Sequence, residues 1–250
     1  MTKFFLPTLA VLALTLAAQQ TASAVDLPKA PPVSQFAPAE DIIAKLDYYV
    51  ERVLDDVADP EEYADSQAKV KKDADTIAAL ALALGLHDQD NKYKAAAPAI
   101  IAAANKIAAA TEYAAAKAAG DELSAALTSK GDPSSLKWQK VASLKELMEQ
   151  VPLINSSLKR GLRRFEREAE DIGVDAAALA VLAQASMANY DETDNPNAAD
   201  QWFAFCAAMR DAAAKINKAA HEGNEDAVNA AVEEMTKACD DCHAVFHKEE

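Results

Sequence analysis

The chain has 250 residues, with 25 Lys and Arg against 40 Asp and Glu, for a formal net charge of −15. So acidic a protein repels nucleic acid and anionic membrane surfaces, which argues against either as a partner. With six glycines, abundant Ala, Leu, Glu, Lys and Asp, and no period-two β-branched runs, an all-α fold is indicated and a sheet protein excluded.

Residues 1–24 read as an export signal. Lys3 supplies the positive start, Phe4 to Ala18 the apolar stretch, and Ala22-Ser23-Ala24 a small-x-small site for cleavage after Ala24. A periplasmic location is expected, with 226 residues and a charge of −16 left after cleavage. No other apolar run approaches the roughly 20 residues of a membrane span. Three cysteines in an exported chain are too few and odd in number for a disulfide framework.

Residues 25–38 hold four prolines and form an extended lead-in. Ile42, Leu46, Tyr49, Val50, Val53 and Val57 then mark a first helix, closed by Asp59-Pro60. The pattern predicts further helices over 62–85, 93–118 and 121–130, the last opened by Gly120-Asp121. Gly131 to Ser135 is the clearest break and serves as a linker. Beyond it, Trp138, Val141, Leu144, Met148, Val151, Ile154 and Leu158 form an apolar helical stripe that Pro152 should bend. Helices over 174–189, 199–221 and 224–247 complete the chain.

The halves can be laid on one another. At an offset of 98, Leu46, Glu51 and Val53 fall on Leu144, Glu149 and Val151. At 109, Tyr93 falls on Trp202 and Lys106-Ile107 on Lys215-Ile216, with the change absorbed by a longer loop in the second half. The expectation is an internal duplication: two antiparallel four-helix bundles in tandem, over 39–130 and 136–250.

The chemistry concentrates in Cys239-Asp240-Asp241-Cys242-His243. C-x-x-C-H is the attachment pattern for c-type haem: two thiols can form thioethers to the porphyrin vinyl groups, and the adjacent imidazole can ligate the iron. On a helix, Cys239, Cys242 and His243 share one face, in line with Val228, Ala231, Val232 and Met235. Two other readings compete. A thioredoxin-like C-x-x-C wants a βαβ context that this chain lacks, and zinc would need a fourth ligand, for which His247 is the nearby candidate.

A final helix ending Cys239-Asp-Asp-Cys-His-Ala-Val-Phe246 resembles the cytochrome c′ family, including its methionine-ligated low-spin relatives. The stretch from Met209 through the turn at Gly223 is similar to that family's third and fourth helices, and the resemblance covers 136–250. It implies one covalent haem c in a four-helix bundle, thioether-bound by Cys239 and Cys242, with His243 as proximal iron ligand. It also implies dimer pairing through the first two helices, a role the first half could fill within one chain. Two features depart from the family. His247 stands where Arg or Lys is usual, and residues 25–135 carry no attachment site, so the first half reads as a haem-free copy.

The residue opposite His243 decides between a six-coordinate iron and an open one. The resemblance puts it on the first helix of the bundle, with Leu144, Leu147 and Met148 as candidates. Met148 is either the distal ligand or a core methionine, and counting back from Gly161 brings Lys145 close instead. Trp202 is a core residue or a haem contact, and Cys206 a buried thiol. His87 and His221 are expected at the surface, and Glu222 to Asp226 as solvated helix-start charge.

The leading expectation is a periplasmic one-electron carrier that docks redox partners with basic surfaces. A five-coordinate protein binding nitric oxide or carbon monoxide is the alternative, and a haem sensor or interaction module the second. No acid–base pair speaks for an enzyme.

Overall fold

The computed structural model describes residues 25–247, so residues 1–24, expected to be an export signal, lie outside the described residues. Among the described residues, eight α-helices account for nearly all regular structure and there is no strand. The first half contains α1 (Ala39–Asp56), α2 (Pro60–Leu86), α3 (Ala97–Ala109) and α4 (Tyr113–Ala126). The second contains α5 (Leu144–Leu162), α6 (Phe165–Ser186), α7 (Ala199–His221) and α8 (Glu225–Phe246).

Local chemistry sets several ends. Asp59 caps α2 by accepting from the backbone N–H groups of Glu61 and Glu62, and Pro60 sits where no donor is needed. Ser143 caps α5 by accepting from the Glu146 N–H. The same serine donates its own N–H and hydroxyl to Asp75 on α2, at 2.9 and 3.2 Å. Gly223, at φ +67°, makes the left-handed turn between α7 and α8.

Several boundaries differ from those the periodicity predicts. The helix expected over 93–118 breaks at Ala110–Glu112, where no Gly or Pro marks a stop. There Tyr63 donates to the Ala110 carbonyl, Tyr113 to that of Ala58, and the two rings pack 5.9 Å apart. Gly120 lies inside α4 instead of opening a helix. A Cβ there would stand 2.7 Å from Val57 Cγ2, so the glycine permits close approach of α4 to the end of α1. Trp138 and Val141 precede α5 because the Ser143 cap starts the helix later, and Trp138 packs beside Phe36. His87 is buried, not at the surface: Nδ1 accepts from the Gln89 N–H, which leaves Nε2 to donate to the Ala37 carbonyl at 3.2 Å. His221 binds buried Asp41 at 2.7 Å.

Within each half sequential helices pack on one another, and between the halves α1 packs against α6 and α2 against α5 and α6, so one apolar core runs through both. The segment Phe165–Glu192 is long and apolar enough to cross a membrane, and 83% of its most apolar window is buried inside the protein. Polar links cross the same boundary. Lys45 of α1 forms a buried ion pair with Asp175 of α6, and Gln150 of α5 donates to the Tyr49 hydroxyl at 2.6 Å.

Asp73 is a buried charge of poorer fit. Arg52 Nη2 lies 3.0 Å from its Oδ2, yet neither carboxylate oxygen accepts a well-aligned hydrogen bond. Burial raises the Asp73 pKa to about 6, against the opposing pull of Arg52, Lys69 and Lys72. A carboxyl that holds its proton more tightly when folded stabilises the fold below pH 4. That contribution is lost as pH rises from about 4 to 6. Asp73→Asn is therefore expected to flatten the decline of urea-unfolding free energy across that window, and an unchanged slope would refute the assignment. Removing one partner of the other pair, by Asp175→Ala, is expected to cost about 3–5 kcal/mol. Lys45→Met with Asp175→Leu should recover most of that loss in the same measurement.

Candidate functional site

The C-x-x-C-H residues lie in the last turns of α8, which keep helical geometry to Phe246. Cys239 and Cys242 are half-buried and His243 exposed, and together they form one wall of a cleft. The facing wall is α5, through Met148, Val151, Pro152 and Asn155, and α7 closes the floor with Trp202, Phe205, Cys206 and Met209. This narrow part has a volume of about 190 Å³. It opens into a wider mouth of about 480 Å³ bordered by Leu144, Lys145, Glu149, Glu192, Phe246 and His247. Met148, Trp202, Cys242 and His243 border both, so the two spaces are continuous. The mouth falls in the range of roughly 300–1,000 Å³ usual for small-molecule sites, and the narrow part lies below it.

All five residues singled out in the sequence, Cys239, Cys242, His243, Met148 and Trp202, line the narrow cleft. Leu147 does not, being buried in the core on another face of α5. Lys145 reaches only the mouth, where it pairs with Glu149 at 2.9 Å and with Glu146 at 3.4 Å. Trp202 is a core residue that also borders the cleft: its indole N–H donates to the Ser186 carbonyl at 2.9 Å, and its ring packs edge-on against Phe246. Asn155, Phe205 and Met209 were not anticipated. The signal for Asn155 was its position seven residues from Met148, on the same face of α5.

The chemistry of the lining is specific. The narrow part holds no carboxylate or cation, and the His243 imidazole has no hydrogen-bond partner among the described residues. Its ring lies 5.4 Å from that of His247, tilted by 59°. Among the described residues no three His, Cys, Asp or Glu side chains converge as ligands for a bare metal ion. One unpaired imidazole beside two thiols, in an apolar slot, fits a flat apolar group that carries its own metal. Asn155 Oδ1 adds a buried acceptor without a partner on the facing wall.

The thiols are poor nucleophiles. Burial pushes the Cys242 pKa up to about 11, with the neighbouring Cys239 adding to the rise. Cys239 is raised in the same way, and Cys206, buried as expected, lies well above the ordinary thiol range. Redox-active C-x-x-C pairs show the opposite shift.

A larger cleft, of about 640 Å³, lies between α1, α5 and α6 on the far side of α5. Its buried Lys45 is paired with Asp175, and its half-buried Arg52 lies 3.0 Å from Asp73. The chemistry-bearing residues belong to the smaller one. No protein-family model matches the chain, and no curated protein or solved structure matches it either.

With both thiols free, alkylation of Cys242 by iodoacetamide at pH 7 is expected to run at least about tenfold slower than that of an exposed cysteine and to accelerate toward pH 11. Mass spectrometry of the labelled peptide checks this. A fast, pH-independent reaction would contradict the buried thiol.

Proposed function

We propose that the protein is a periplasmic c-type cytochrome carrying one covalent haem and transferring single electrons. The observation that carries this reading is the convergence of the C-x-x-C-H residues with Met148 and Trp202 on one narrow apolar cleft. A haem held there supplies an iron that exchanges one electron between its ferric and ferrous states.

The chain's own residues have distinct tasks. Cys239 and Cys242 tether the group at two points of one helix face, and His243, whose imidazole makes no hydrogen bond among the described residues, offers it from the same wall. Met148, on the opposite wall, offers a thioether sulfur. A haem held there would be offered protein ligands from both walls, which favours electron transfer over gas binding. Trp202, Phe205 and Met209 exclude water from the floor, keeping the dielectric low. Glu149 and Glu192 at the mouth suit a partner with a basic docking surface.

The remaining helices fit the same reading. The eight are two four-helix bundles in tandem, related by internal duplication. α4 ends at Ala126, whereas the offset of 109 would put the attachment residues over 130–134. The first half therefore lacks the turns that would hold a haem. It packs its α1 and α2 on α5 and α6, in the manner of a dimer partner supplied within the chain.

Exported from a host with haem-attachment machinery, the protein should be coloured and heavier than its polypeptide by one haem. Its ferric and ferrous absorbance spectra should be low-spin. Met148→Ala should convert them to a high-spin form, and an already high-spin wild type would favour the gas-binding alternative. Colourless protein with Cys239 and Cys242 both titratable would overturn the proposal.

A further inference from the structure

Among the described residues, Pro152 is the one proline inside an α-helix; Pro60 and Pro98 stand in first turns. Proline has no N–H, so Pro152 cannot donate to the carbonyl four residues before it, and its ring crowds that carbonyl. That carbonyl belongs to Met148. The cost inside a helix is about 3 kcal/mol or more.

The placement is directional. Met148, Pro152 and Asn155 border the cleft along one face of α5. On other faces of the same turns Leu147, Gln150, Ile154 and Leu158 are buried, and Gln150 is tied to Tyr49 of the other half. The helix is thus pinned on its core side and missing a hydrogen bond on its cleft side, in the turn that presents the Met148 sulfur.

We propose that Pro152 is a positioning residue that makes Met148 an exchangeable ligand, so that a small neutral molecule with a donor lone pair can take its place reversibly. This rests on the haem reading above. In the exchange the sulfur–iron bond breaks and the bond from the incoming lone pair forms, with no electron or proton transferred. Asn155 stands beside the vacated space with an unpartnered amide oxygen. The pinned core face lets the turn open without unfolding α5.

Carbon monoxide binding to the reduced, haem-loaded full-length protein tests this. At saturating gas the observed rate is limited by departure of the Met148 sulfur. Pro152→Ala, which restores the missing donor, is expected to lower that limiting rate at least about tenfold, a barrier change of about 1.4 kcal/mol. Pro152→Ser restores the same N–H and should behave alike. Amide hydrogen exchange over 149–156 should slow in both variants, in the full-length chain with haem and before its attachment. A merely structural proline would shift the melting temperature and leave the limiting rate alone. An unchanged rate, with Met148→Ala still converting the spectrum, overturns this inference and leaves the haem reading intact. An unchanged spectrum in Met148→Ala overturns it together with the ligand assignment.

Discussion

The packing depends on α6. From Ile172 to Ser186 almost every residue of this helix is buried, and a helix apolar on all sides is stable in water only when other helices surround it. α5 and α7 cover it from within its own half, α1 and α2 from the other. The one charge in its buried stretch, Asp175, is met by Lys45 of α1. Because the helix needs neighbours from both halves, the two share a core. α5 is then held firmly against the first half, leaving its remaining face toward α8.

That arrangement places the C-x-x-C-H cleft between α5 and α8. In the first half the short fourth helix closes on α1 and α2, with Gly120 allowing contact at Val57. In the second half α8 is 22 residues long against 14 for α4, and it packs on α7. The extra turns hold Cys239, Cys242 and His243 across a gap from Met148. The space between α5 and α8 is thus a consequence of helix length and of which neighbour each helix chose. A flat group inserted there would complete a core that the chain leaves open.

The polar groups divide by the same logic. Lys45–Asp175 and Ser143–Asp75 join the halves and are matched, whereas Gln150 reaches Tyr49 through its amide N–H and leaves its Oε1 without a partner. Asp73 and Asn155 are not fully satisfied. Asp73 answers with a raised pKa, whereas the neutral Asn155 cannot titrate and stays an open acceptor beside the cleft.

Much was legible along the chain. Helix composition, the 3–4-residue spacing of α1 and the span of α7 are local properties, set by side-chain period and capping, and the structure follows them closely. The C-x-x-C-H spacing is equally local, since three residues within five must share a helix face. The break between α3 and α4, the late start of α5, the burial of His87 and the inner position of Gly120 were not legible. Each arises from a contact with a residue tens of positions away, such as Tyr63 with Ala110 or Asp75 with Ser143. Local pattern thus determined the helices and the shared face of Cys239, Cys242 and His243. Only tertiary packing decided that Met148 and Trp202 face those residues across one cleft, because which helix sides meet depends on how all eight bury their apolar faces together.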